Sequence, residues 1–120
     1  MASIVSFKDV PLEPWPGTDE EVLEGELQMR VHVLSSSADG RNATGIWQAE
    51  PCTVRLVHPF EETFLVLEGS LEIEPAGETP VVMGPGDSIV LHEGAVSIWT
   101  LRERVTKVFS IYREGGLPGV

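Results

Sequence analysis

The chain has 120 residues, 42% hydrophobic and 22% charged, with 19 acidic against 8 basic side chains and a formal net charge of −11. That length suits one domain able to bury roughly two-thirds of its unfolded surface, enough for a core without metal or disulfide staples. The negative charge repels phosphate backbones and anionic membrane surfaces, so neither nucleic acid nor membrane is an expected partner, and the single cysteine, Cys52, excludes an intrachain disulfide and any CxxC site.

The first residues carry neither a basic segment nor a long apolar run, so the expected compartment is the cytoplasm. Pro11, Pro14 and Pro16 bar a central strand, because proline lacks the ladder donor. Residues 1–21 are therefore expected to form an arm with a short edge strand at 4–7. One helical turn is expected at 19–23, with Asp19-Glu20-Glu21 as its solvated start. Residues 22–120 are expected to form a single domain.

No stretch there has a convincing helical period. Short apolar or alternating runs recur instead, punctuated by Gly, Pro and Asp, which is the pattern of an all-β sandwich or closed barrel. The predicted strands are 29–34, 45–48, 53–58, 63–67, 70–74, 80–83, 88–91, 96–102 and 105–112, with a polar loop at 35–42. Glu68-Gly69 is expected to close a two-residue hairpin, since glycine supplies the positive φ that such a turn requires. Gly84-Pro85-Gly86-Asp87 and His92-Glu93-Gly94-Ala95 read as two further tight turns. Phe64-Leu65-Val66-Leu67 has no polar face, so both of its faces should be covered. One would face the core and the other the N-terminal arm or a second subunit, and a homodimer is expected.

Two stretches carry a family resemblance. Glu62-Thr63-Phe64-Leu65-Val66-Leu67-Glu68-Gly69 resembles the second half of the first cupin motif, and Gly86-Asp87-Ser88-Ile89-Val90-Leu91-His92-Glu93-Gly94 is similar to the opening of the second. Gly45-Ile46-Trp47, the spacing from Gly94 to Trp99, and Val105-Thr106-Lys107-Val108-Phe109 narrow the match. It is to compact single-domain cupins of the ureidoglycine aminohydrolase and ethanolamine-utilisation group, over roughly residues 22–112. The resemblance implies an antiparallel jelly-roll β-barrel. It says less about function, which lives in the site and not in the fold.

Metal-binding cupins present His-x-His, then Glu, then a third His. Aligned on the glycine turn, His58 and Glu62 occupy two of those positions, while Leu56 and Ser97 occupy the others. Leucine cannot ligate and serine is a poor substitute for imidazole, so the resemblance implies a degenerate site with no metal and no cofactor. His92 falls at a strand end, where the family usually has proline, and His32 matches no ligand position.

Strand alternation shows what shares the inner face. If Glu62 points inward, so do Phe64 and Val66; if Ser97 does, so do Trp99 and Leu101. Lys107 falls on the face of Val105, Phe109 and Ile111, an odd place for an ammonium. It reads either as a rim lysine snorkelling into water or as an inward lysine opposing Glu62, and both readings stand open. Trp47 reads as core, Arg55 as surface, and Cys52 as a buried structural thiol.

The candidate ligand-binding set is therefore His58, Glu62, Phe64, Ser97, Trp99 and Lys107, and its expected ligand is a small polar metabolite. Alternatives are, as the resemblance to the ureidoglycine aminohydrolase group implies, a small enzyme acting on an amine or ureido compound, with or without a divalent metal, through His58 and Glu62 as acid and base, or a scaffold whose barrel serves only dimerisation.

Overall fold

The computed structural model describes residue 2 and residues 4–17 and 20–117. Its eleven strands are β1 (Glu13–Trp15), β2 (Glu21–Gly25), β3 (Met29–Ser36), β4 (Asn42–Ala49), β5 (Cys52–Val57), β6 (Glu61–Glu68), β7 (Leu71–Pro75), β8 (Val81–Met83), β9 (Ser88–Leu91), β10 (Val96–Leu101) and β11 (Val105–Tyr112). Each of the nine strands predicted from 29 onward has its counterpart, displaced by at most a few residues at its ends. The described residues include no helix, and so none long and apolar enough to cross a membrane.

The strands form two antiparallel sheets, ordered β1-β3-β4-β11-β6-β9 and β2-β5-β10-β7-β8. Successive strands mostly alternate between sheets, the habit of a jelly roll. The two ladders remain separate and do not join into one closed hydrogen-bonded ring. Their inner faces meet in one core, where Trp47 of β4 and Phe64 of β6 both pack on Trp99 of β10, with ring centroids 6.1 and 5.4 Å apart. The period-2 rule explains this core directly. Along β6 the residues Glu62, Phe64 and Val66 are buried while Thr63 and Leu65 are exposed, and on β10 Ser97, Trp99 and Leu101 are buried.

Three expectations need correction. Residues 4–7 form no strand; the edge strand of this region is β1, which includes Pro14 and pairs with β3 on one side only. An edge tolerates that proline because one face of its backbone needs no ladder donor. The expected helical turn is instead β2 from Glu21 onward, paired with β5, and Asp19 lies outside the described residues. Its side chains are exposed throughout, so backbone pairing rather than an apolar pattern makes it a strand. Finally, Glu68-Gly69 does not close a hairpin. Gly69 has the expected positive φ of 82°, but β6 and β7 lie in different sheets and the turn carries the chain between them.

The other two turns do the same between β8, β9 and β10. In each the fourth amide donates to the first carbonyl, Asp87 N to Gly84 O at 3.0 Å and Ala95 N to His92 O at 2.9 Å. The outer side of β6 is left open by the described N-terminal residues: Leu65 is 36% exposed and Val90, beside it on β9, 57%.

Candidate functional site

A cavity of about 100 Å³ lies between the sheets, several times the roughly 10–15 Å³ that one ordered water needs. Its walls are mostly apolar and aromatic, with Trp47, Leu56, Phe60, Trp99 and Phe109 prominent. Three polar side chains gather at one wall. Lys107 (4% exposed) donates from Nζ to Glu62 Oε2 at 2.8 Å, and His58 Nε2 lies 2.7 Å from Glu62 Oε1.

Each of these three is positioned by its backbone. His58 follows β5, where its N–H donates to Ala95 O and its carbonyl accepts from Gly94 N, both at 2.8 Å. The 92–95 turn thus clamps the histidine from both sides. Gly94 is suited to that turn because it adopts a φ of +88°. Glu62 is on β6 opposite Ile111, and Lys107 is on β11 opposite Val66, just past a register shift after Thr106. Along the sheet the two are four residues apart, roughly 13 Å at strand rise. The lysine and glutamate side chains together span that offset, meeting end to end at their hydrogen bond. The Lys107 ammonium then sits 4.2 Å from the centroid of Phe64, 4.5 Å from Trp47 and 4.6 Å from Trp99.

These contacts set the electrostatics. Burial pushes the Glu62 carboxyl up, but the Lys107 ammonium and the hydrogen bond from His58 outweigh it and hold the group below its ordinary range. Burial draws the Lys107 ammonium below its usual value, partly offset by Glu62 and by the more distant charge of Glu20. Ring faces and carboxylate both favour the charged lysine, so the pair is read as ionised. Burial raises the Cys52 thiol and leaves it protonated and unreactive.

Of the six sequence-derived site residues, His58, Glu62, Trp99 and Lys107 line the cavity. Phe64 and Ser97 stand behind it: Phe64 is the floor under the ammonium, and Ser97 Oγ accepts from Trp99 Nε1 at 3.0 Å, fixing the indole. Lys107 is inward and paired, not a snorkelling rim residue. His92 is exposed, 3.1 Å from Glu61, and Arg55 is exposed on the outer face.

Sequence reasoning left many wall residues out of the candidate set, among them Trp47, Cys52 and Glu20. Trp47 was expected to be core only, yet it also closes the cage over Lys107. Cys52 shares its strand parity with Val54 and Leu56, and that signal could have placed it on the wall. Glu20 lines the cavity from a segment expected to be a solvated helix start, and nothing in the local pattern marks it.

The residues do not fit a cupin metal centre. Among the described residues no group of three or more His, Cys, Asp or Glu side chains converges on a common point. Both Glu62 oxygens already have protein partners, and Leu56 on the same wall has no ligating atom.

The family profile of the EutQ-like cupin domain matches residues 36–109. No curated protein matches the sequence. Among solved structures, the chain is similar to the EutQ protein of Clostridium difficile, at 17% identity and a TM-score of 0.62, over 72% of this chain and 68% of that one. It is also similar to the polyketide cyclase RemF of Streptomyces resistomycificus, at 20% identity and a TM-score of 0.66, over 93% and 80% of the two chains. A protein of unknown function from Pseudomonas syringae pv. tomato gives a TM-score of 0.75 at 18% identity over 87% of this chain, which spans 45% of that one. At these identities the likeness is one of fold.

Proposed function

The chain belongs to the EutQ-like cupin domain family, and on that premise we propose that it binds a small polar metabolite between its two sheets, without a metal. One observation carries this reading: the cavity of about 100 Å³ has mostly apolar and aromatic walls and a hydrogen-bonded polar cluster of His58, Glu62 and Lys107. Small-molecule sites have that make-up, apolar surface for affinity and a few convergent polar groups for orientation.

The same proposal takes the protein as a cytoplasmic homodimer with no nucleic-acid partner. The net charge of −11 and a lone cysteine support the first and last points, and the open apolar side of β6 supports the second. Native mass spectrometry of untagged protein from its own host tests ligand and subunit count together. The expected species is a dimer carrying one small organic molecule per chain. A bare chain, with Trp emission unmoved by the host's metabolite extract, would overturn the binding reading; a monomer mass at micromolar concentration would overturn the dimer.

A second reading, acid–base catalysis on an amine or ureido compound, is favoured by the 2.7 Å contact between His58 Nε2 and Glu62 Oε1. A carboxylate that fixes the tautomer of an imidazole is a common support for a general base.

A further inference from the structure

At the polar wall, every buried side-chain nitrogen and oxygen of His58, Glu62 and Lys107 has a hydrogen-bond partner except one. Glu62 accepts from Lys107 at Oε2 and meets His58 Nε2 at Oε1. An ionised carboxylate only accepts, so Nε2 carries a proton and donates it. One carboxylate matches one ammonium. In the neutral imidazole that donates from Nε2, Nδ1 carries a bare lone pair. Among the described residues, Nδ1 of His58 is the one buried side-chain polar atom that no protein group reaches. A buried acceptor left without a donor is costly, whereas a bound molecule that supplies one gains what the protein lacks.

Charge narrows the class further. The usual anchor for a ligand carboxylate in such a cavity would be Lys107, but Glu62 already neutralises it and three rings enclose it. Glu20 adds a second acidic side chain to the wall. Resting on the reading of this cavity as a binding site, we infer that its ligand is an uncharged molecule bearing an O–H or N–H donor, such as an alcohol, amide or ureido group. That donor is directed at His58 Nδ1, and carboxylates are disfavoured.

Three compounds of one size class test the inference on the intact protein: cyclopentanol as donor, cyclopentanone as acceptor only, and cyclopentanecarboxylate as anion. Binding is read from the emission of the three tryptophans, Trp15, Trp47 and Trp99, all of which line the cavity. The ¹⁵N resonance of His58 Nδ1 in histidine-labelled protein reads the hydrogen bond itself. Cyclopentanol should bind about tenfold more tightly than either other compound and move the Nδ1 resonance. His58→Phe should erase its advantage over cyclopentanone; if that variant does not fold, the wild-type resonance decides alone. Equal binding of alcohol and ketone, tighter binding of the carboxylate, or an unmoved Nδ1 resonance would overturn the inference while leaving a binding cavity in place. Failure of all three to shift the emission would overturn both.

Discussion

An ammonium as deeply buried as that of Lys107 needs compensation for its lost water, and two kinds of contact provide it. Glu62 balances its charge at 2.8 Å, and the faces of Trp47, Phe64 and Trp99 present negative π-density within 5 Å. Removing one member of such a pair strands the other. Lys107→Met should therefore cost about 3–5 kcal/mol in urea unfolding. Adding Glu62→Gln in the same chain should recover part of that loss, because the stranded carboxylate is gone. Strictly additive losses would show that the two charges are not coupled.

At the level of elements, one crossing between the sheets rests on a single glycine. Gly69 turns the chain from one sheet to the other at a φ of +82°, and a Cβ built there would lie 2.1 Å from the carbonyl oxygen of Arg104. Gly77 has nearly the same φ, +77°, and open space around it. Gly77→Ala should therefore show the backbone cost alone, roughly 1–2 kcal/mol. Gly69→Ala should lose a further ~1–3 kcal/mol through displacement of the Arg104 backbone. Equal losses in chemical denaturation would mean that this close approach is not a constraint. The comparison also shows why Glu68-Gly69 misleads as a hairpin signal. Positive φ marks a sharp turn, but whether the next strand pairs with the last or crosses to the facing sheet depends on the distant partners β10 and β11.

For the molecule as a whole, acid stability follows from the carboxylates held below their ordinary range. Glu62 is the buried one. Glu50, lowered first by its bond to Arg30, and Glu61, lowered first by His92, are partly exposed and contribute little through solvent screening. A group whose folded pKa is depressed stabilises the protein above its unfolded pKa, near 4.3 for Glu, and that stability is lost as pH falls through the folded value. The melting temperature should hold from pH 7 to about pH 5 and then fall steadily. Glu62→Gln should make that fall shallower, even though the variant starts less stable. An unchanged acid slope would show that Glu62 is not the group being titrated.

The amino-acid sequence by itself determined what is local. Period-2 alternation placed nine strands and grouped Glu62 with Phe64, Ser97 with Trp99, and Lys107 with Val105 and Phe109 on common faces, because side-chain parity along a strand needs no knowledge of its neighbours. Composition determined the net negative charge and the absence of an intrachain disulfide. The tertiary structure alone decided which inward residues meet. The Lys107–Glu62 bond depends on β11 lying beside β6 in a shifted register, and the ring cage draws on β4, β6 and β10 together. The exposed strand β2 and the wall position of Glu20 likewise depend on partners far along the chain. Register and sheet membership are set by hydrogen bonds between segments tens of residues apart, and no periodicity within one segment encodes them.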